Sequence, residues 1–395
     1  LDLPPGSVKG EGPAAIDVAL VKDQPPQLTL TSNLTGLALR LDALGWSKAA
    51  KGKATLDLEA RLSREPVVER LTLKAPGLEA RGRITTREGG GLDKAVFDRV
   101  IAGDWLDAPV TLTGRGKGAA LDVAVSGGTL DMRRMPDGEG GDSGPVTVRL
   151  DALRISDGIR LTDFQGEFGA KGGFNGTFVA GVNGSGQISG TVVPMQMGSA
   201  VRILSDNAGA VMAAAGIFDK GRGGSLDMSL IPRGPKGEYS GKASFTRMRV
   251  QGAPALAELL SAVSVVGLLE QMNGEGLAFN NGEVTFVLTP KAVEISQGSA
   301  VGASLGISFA GLYLTDSGRI DLQGVISPIY LVNGVGQILT RRGEGLFGFN
   351  YRLTGTTDDP NVSVNPLSVL TPGMFRELFR QRPPNLKDTE GAPGG

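Results

Sequence analysis

The chain has no cysteine and no histidine. The first absence excludes disulfides and thiol chemistry; the two together remove most zinc, haem and copper sites and the usual general base. Any catalysis would fall to carboxylates, Lys, Ser or Tyr. Aromatic residues are scarce, at 5%, so apolar faces must be built from aliphatic and small side chains. Four tyrosines and two tryptophans are too few for the girdles of an outer-membrane barrel. Charge of one sign is missing as well: 40 basic residues against 41 acidic ones give no electrostatic argument for nucleic acid. No long hydrophobic run is present. The uncharged apolar stretch 259–269 falls well short of the roughly 20 residues that span a bilayer as a helix. The opening LDLPPGSVKGEGPAAIDVAL has no signal-peptide character and reads like the middle of a β domain, as expected for a piece of a longer protein.

Glycine, by contrast, is abundant: 61 residues in a chain of which 40% is hydrophobic. That combination predicts many short strands joined by tight turns. TLDLEARL (55–62), VERLTLKA (68–75) and LEARGRIT (78–85) are strand-like, as are SLDMSLIP (225–232) and EYSGKASFTRMRVQG (238–252). Helices are expected at 93–103, where Asp93 could cap and Phe97, Val100 and Ile101 share a helical face, and at 199–218. A third is expected at 254–272, with Pro254 in its first turn, and further ones at 328–342 and 371–380. MPDGEGGDSGP (135–145) reads as a surface loop. The expected organisation is a β-rich segment with one helix over 1–135, a loop or linker over 136–147, a second β region with capping helices over 148–382, and a disordered tail over 383–395. Arg-Leu-Asp-Ala-Leu occurs at 40–44 and again at 149–153, a hint of repeated β units.

Within the strands the alternation has period two: Val284, Phe286 and Leu288; Leu305, Ile307 and Phe309; Ile320 and Leu322; Phe347, Phe349, Tyr351 and Leu353. Each strand therefore has an oily face that must be covered. A second sheet could cover it, giving a sandwich, which is the commoner solution for this pattern. A curled sheet could instead leave the face open for hydrocarbon. A β-helix is a third arrangement, but the chain lacks its regular short period. Motifs for other chemistry fail on spacing. Asp137, Glu139 and Asp142 fit no calcium loop, and GEYSGKAS (237–244) is one residue short of a phosphate loop and lacks its Ser/Thr. Arg202 and Asp206 read as a solvated face.

The C-terminal stretch adds specific marks: Pro328-Ile329-Tyr330, Asn333 with Gly334 and Gly336, Gly343-Glu344-Gly345-Leu346-Phe347-Gly348, and Tyr351-Arg352-Leu353-Thr354-Gly355. The turn Asp359-Pro360 follows, then Asn365-Pro366-Leu367-Ser368 leading into Pro372-Gly373. Over 328–379 this resembles the C-terminal region of the AsmA-like family of bacterial envelope proteins. The likeness continues more loosely through 225–327, and in style alone over 1–150.

The resemblance implies a bridge-like lipid transfer protein: an elongated, curled, taco-like antiparallel sheet with an open groove and a few C-terminal helices. It implies a periplasmic location, an inner-membrane anchor outside this stretch, and phospholipid moving between inner and outer membranes, with envelope proteins as possible partners. No enzyme activity, cofactor, metal or nucleic acid is implied. Keeping a 16-carbon chain out of water is worth roughly 12 kcal/mol at about 0.8 kcal/mol per methylene, so such a groove must be apolar along its length. The expected groove wall is Val284, Phe286, Leu288, Leu305, Ile307, Phe309, Ile320, Leu322, Phe347, Phe349, Tyr351 and Leu353. Met374, Phe375, Leu378 and Phe379, flanked by Arg376 and Arg380, would form a helix that caps the groove or meets a membrane surface. The rival expectation is a structural or assembly factor for outer-membrane biogenesis with a closed, dry sandwich core.

Overall fold

The computed structural model describes residues 6–116, 118–136, 144–169, 173–234, 237–328, 348–356, 359–365 and 367–368. The protein is mainly β, as expected: 60% of it is strand, most of it in one large curled, mixed sheet of 23 strands, with three short helices. Two compact units are present, Leu1–Gly181 and Val182–Gly395.

In the first unit a small sheet is formed by β1 (Val8–Gly10), β4 (Leu37–Leu41) and β5 (Trp46–Lys48). The main ladder begins with β2 (Ala15–Ala19) and β3 (Gln27–Ser32). It continues through β6 (Thr55–Arg61), β7 (Val67–Ala75), β8 (Leu78–Thr86), β9 (Leu92–Ala102) and β10 (Leu106–Thr113). β11 (Asp122–Ser126) and β12 (Thr129–Asp131) both pair with β10 and with β13 (Val146–Arg154), which pairs with β14 (Arg160–Gly169); β15 (Asn175–Val182) follows. Gly127 and Gly128, at φ +86° and +77°, break one run into β11 and β12, a kink that side chains resist. Here the expected antiparallel order has its exception: β11 and β12 run parallel to β13.

One row of cross-strand partners shows how the alternation is used. Ile16, Leu30, Leu58, Leu71, Gly82, Phe97, Val110, Val125, Val148 and Gly166 are successive neighbours from β2 to β14. A single face of the ladder is therefore apolar or glycine across ten strands.

The second unit holds β16 (Gly186–Met195), β17 (Gly198–Ser205), α1 (Ala208–Ala214), β18 (Gly221–Arg222), β19 (Ser225–Pro232) and β20 (Tyr239–Val250). Then come α2 (Pro254–Ala262), α3 (Val266–Asn273), β21 (Leu277–Leu288), β22 (Ala292–Gly302), β23 (Leu305–Leu314), β24 (Arg319–Pro328), β25 (Phe349–Thr356) and β26 (Pro360–Asn365). From β19 onward each long strand pairs with the next in antiparallel fashion. α2 follows β20 directly yet packs against β26, six strands along the ladder. Laid flat, six strand spacings of about 4.8 Å amount to roughly 29 Å, twice the ~14 Å length of a nine-residue helix. The sheet of this unit is curled. Among the described pairings β2 has only β3 and β26 has only β25, so the ladder has two ends and is not a closed barrel.

Several local expectations fail for identifiable reasons. Residues 93–102 lie in strand β9, not in a helix, and Gly103 begins the turn after it. The helical spacing of Phe97 and Val100 comes from a β-bulge: Phe97 faces Gly82 while Arg99 faces Arg81, so Asp98 is an extra residue. Residues 199–218 form β17 and then the short α1. Val201 and Ile203 alternate in the ladder, and the helix starts only where the Asn207 side chain accepts from Ala210 N at 3.0 Å. The helix expected at 254–272 is split into α2 and α3 at Ser264, which lies at φ +59°. The repeated pentapeptide is no structural repeat: 40–44 ends β4 in a 3₁₀ turn, whereas 149–153 is the middle of β13. The helices expected at 328–342 and 371–380 lie outside the described residues, except that Pro328 ends β24. Asp137, Glu139 and Asp142 also lie outside them.

Lys48 carries a structural role that alternation did not disclose. It is 6% exposed, and its ammonium donates to the carbonyls of Leu34 at 2.7 Å, Leu37 at 2.8 Å and Ala49 at 3.2 Å. All three ammonium donors are thus used to tie the 34–37 loop to β5. Replacing it by methionine strips these carbonyls of their partner. We expect Lys48→Met to cost about 3 kcal/mol in urea unfolding, and Lys51→Met, at an exposed position, to stay within about 0.5 kcal/mol of the parent.

Candidate functional site

The candidate site is the apolar face of the second unit's sheet. It is built in rows of cross-strand partners. The outermost row runs Tyr239, Leu288, Val293, Tyr313, Ile320 and Gly355. The next runs Gly241, Phe286, Ile295, Gly311, Leu322, Leu353 and Val362. A third runs Ala243, Val284, Gly298, Phe309, Gly324, Tyr351 and Val364, and a fourth Phe245, Gly282, Ala300, Ile307, Ile326 and Phe349. Leu305 and its partner Pro328 end the β23–β24 pair one step beyond. Every expected groove-wall residue that the structure describes falls on this one face. Phe347 lies outside the described residues, as do Met374, Phe375, Arg376, Leu378, Phe379 and Arg380.

Burial along the face is graded. At the end next to the helices it is dry. Val250, Leu277, Phe279, Leu305 and Ile326 are buried, and so are Leu259, Leu260 and Met272 of α2 and α3. Of the 254–272 segment, Leu256, Leu259, Leu260 and Met272 are packed core at that end, whereas Val266 is exposed. Farther from the helices Val284, Phe286, Leu288, Phe309, Ile320 and Leu322 are only half-buried, while Tyr351 and Leu353 are buried; Ile307 and Phe349, in the same row as buried Ile326, are half-buried too. Among the described residues of this unit there is no second sheet to cover them. Tyr351 is anchored by its hydroxyl, which donates to Ser308 O at 2.9 Å.

The opposite face of the same strands is mixed: Glu283, Thr285, Asp321, Gln323, Arg352 and Thr354 lie on it, but so do Leu312 and Val325, which are buried. Two forked ion pairs knit it. Arg202 binds Asp227 at 3.0 and 2.6 Å, and Arg352 binds Asp321 at 3.0 and 2.9 Å. Hydrogen bonds from Arg202 hold the Asp227 carboxyl below the usual carboxylate range, and those to Asp321 raise Arg352 further. Arg202 is thus on a solvated face, but of a strand. Among the described residues no group of carboxylates is placed to hold a metal, and no helix is long and apolar enough to cross a membrane.

Alternation missed Tyr239, Phe245, Ile295 and Tyr313, and it missed the glycines between the aromatic residues. Their signal is visible only once register is known, because a glycine on one strand stands beside a ring on the next. No protein-family model, curated protein or solved structure matches this chain.

The gradient in burial has a measurable consequence. Leu260, fully buried among the helices, should cost about 3 kcal/mol when replaced by alanine, whereas half-buried Phe286 should cost about 1 kcal/mol, well under the range for a core phenylalanine. Chemical unfolding of the two variants separates an open face from a sandwich interior, in which Phe286→Ala would be the costlier change.

Proposed function

We propose that this chain is a non-enzymatic carrier of phospholipid between the inner and outer membranes of a bacterial envelope, holding acyl chains against the apolar face of its curled sheet. The observation that carries the reading is the half-buried state of that face. Eight large apolar side chains on central strands of the second unit stay partly accessible, with no second sheet over them among the described residues. Leaving such a surface to water is costly at about 25 cal/mol per Å², so a mobile apolar occupant is the economical explanation. The likeness of residues 328–379 to AsmA-like proteins agrees with it and supplies the periplasmic setting and the two membranes. The opposite face carries the charged residues of these strands, and a wall of aliphatic and aromatic side chains without charged grips would let a chain slide rather than trap it.

The test is a photocrosslink. The purified chain, carrying benzoylphenylalanine at Ile307 or Leu322, is mixed with vesicles of phosphatidylethanolamine and phosphatidylglycerol containing a radiolabelled phospholipid. Label is expected on the protein from both inward positions and not from Thr285, which points to the opposite face. Equal labelling from Thr285, or a protein free of lipid whose inward probes capture only its own chain, would reject the carrier and favour a dry-core assembly factor.

A further inference from the structure

Four aromatic rings on the apolar face of the second unit stand beside glycines of the neighbouring strand. They are Phe286 with Gly241, Phe245 with Gly282, Phe309 with Gly298, and Tyr351 with Gly324. In the first three pairs a Cβ built on the glycine would overlap the ring of its partner, 2.0–2.2 Å from the nearest ring atom. At Gly324 it would meet the Ser308 carbonyl as well as the Tyr351 hydroxyl, the latter at 2.9 Å. The rings therefore lie down across the neighbouring backbone, in the space a side chain would occupy. None of these glycines has a positive φ, so their backbone could accept alanine, and the ring or carbonyl above them is what demands glycine. The first unit offers one related case, on a single strand: a Cβ on Gly166 would sit 2.6 Å from the ring of Phe168, two residues along, whereas one on Gly82 would meet backbone first, Val96 O at 2.2 Å. Glycine within a strand weakens it, so a repeated ring-on-glycine arrangement calls for a compensating reason.

We infer that these glycines are sockets that set the clearance of the apolar face: each lets a ring lie flat, and a methyl group in the socket lifts the ring into the space an acyl chain would use. Gly241 and Gly298 are then specificity-determining positions, although neither side of the pair grips the lipid. The inference rests on the carrier reading above and refines it. A flat floor takes extended hydrocarbon, whereas rings standing up from the sheet would divide it into separate compartments.

The experiment measures phospholipid bound per protein after incubation with phosphatidylethanolamine–phosphatidylglycerol vesicles and re-isolation, read by mass spectrometry. Wild type is compared with Gly241→Ala, Gly298→Ala, and the double variants Gly241→Ala/Phe286→Ala and Gly298→Ala/Phe309→Ala. Each single variant is expected to lose about tenfold in bound lipid, a modest cost of overpacking expressed as an equilibrium. Each double variant, with the lifted ring removed, is expected to regain it. Circular dichroism checks that the strands persist. A single variant that misfolds is replaced by its double: restored folding together with wild-type loading supports the socket, and restored folding without loading overturns it. Single variants that load like wild type overturn the inference and leave the carrier reading intact. A wild-type protein that takes up no lipid while folded overturns both.

Discussion

Cross-strand register is the constraint on which the structure depends. Side chains along a strand alternate with period two, so a slip of one residue would turn an entire apolar set to the wrong face. Many long strands multiply the opportunities for such a slip. The chain absorbs them with extra residues placed where its own alternation breaks. On β20 the inward residues Phe245 and Met248 are three apart, and on β21 Gly282 and Phe279 are three apart at the same level. On β22 Ile295 and Gly298 are three apart, facing Gly311 and Phe309, which are two apart. Each extra residue resets the parity, and the apolar face passes through uninterrupted. Arg247 at φ +53° marks the first of these positions.

From that continuity the division of labour within the second unit follows. A curled sheet with one apolar face must either fill its interior or leave it open. Here α2 and α3 fill one end, and most of the half-buried residues lie toward the other. The same helices bring α2 against β26 and so hold the curl. Filling and opening are thus two regions of one face rather than rival descriptions of it. A sandwich would have needed a second sheet at a spacing of about 10 Å; among the described residues of this unit none is present.

Much of this was legible beforehand, because period-two alternation is a direct image of a half-buried strand. The set Val284, Phe286, Leu288, Ile307, Phe309, Ile320, Leu322, Tyr351 and Leu353 could be read as one wall without knowing a single pairing. What could not be read was anything that depends on register or on distant partners. Phe97 and Val100 mimic a helix because Asp98 bulges out between them. The 199–218 run hides a strand because its alternating part is short and an alanine-rich stretch follows. Lys48 looks like any surface lysine until three carbonyls are found around its ammonium. Parallel pairing of β11 and β12 with β13 needs a long return connection, which no local pattern announces.

The abundance of glycine admits two physical sources, and they can now be separated. Many glycines sit at positive φ in turns, including Gly127 and Gly128, where backbone geometry demands them. Gly241, Gly282 and Gly298 do not: they are in strands, with ordinary φ and a ring overhead. Such glycines give up strand propensity and side-chain packing. Placing the ring over the bare backbone returns part of that loss by covering the peptide groups, as an aromatic side chain does when it shields a strand glycine from a neighbouring position. The same placement lowers the height of the wall. In a close-packed sandwich core, low walls would leave voids, each void costing stability in proportion to its volume. A wall kept low by glycine sockets and left half-buried is therefore better matched to a face that meets a fluid, replaceable layer than to one interlocked with fixed side chains.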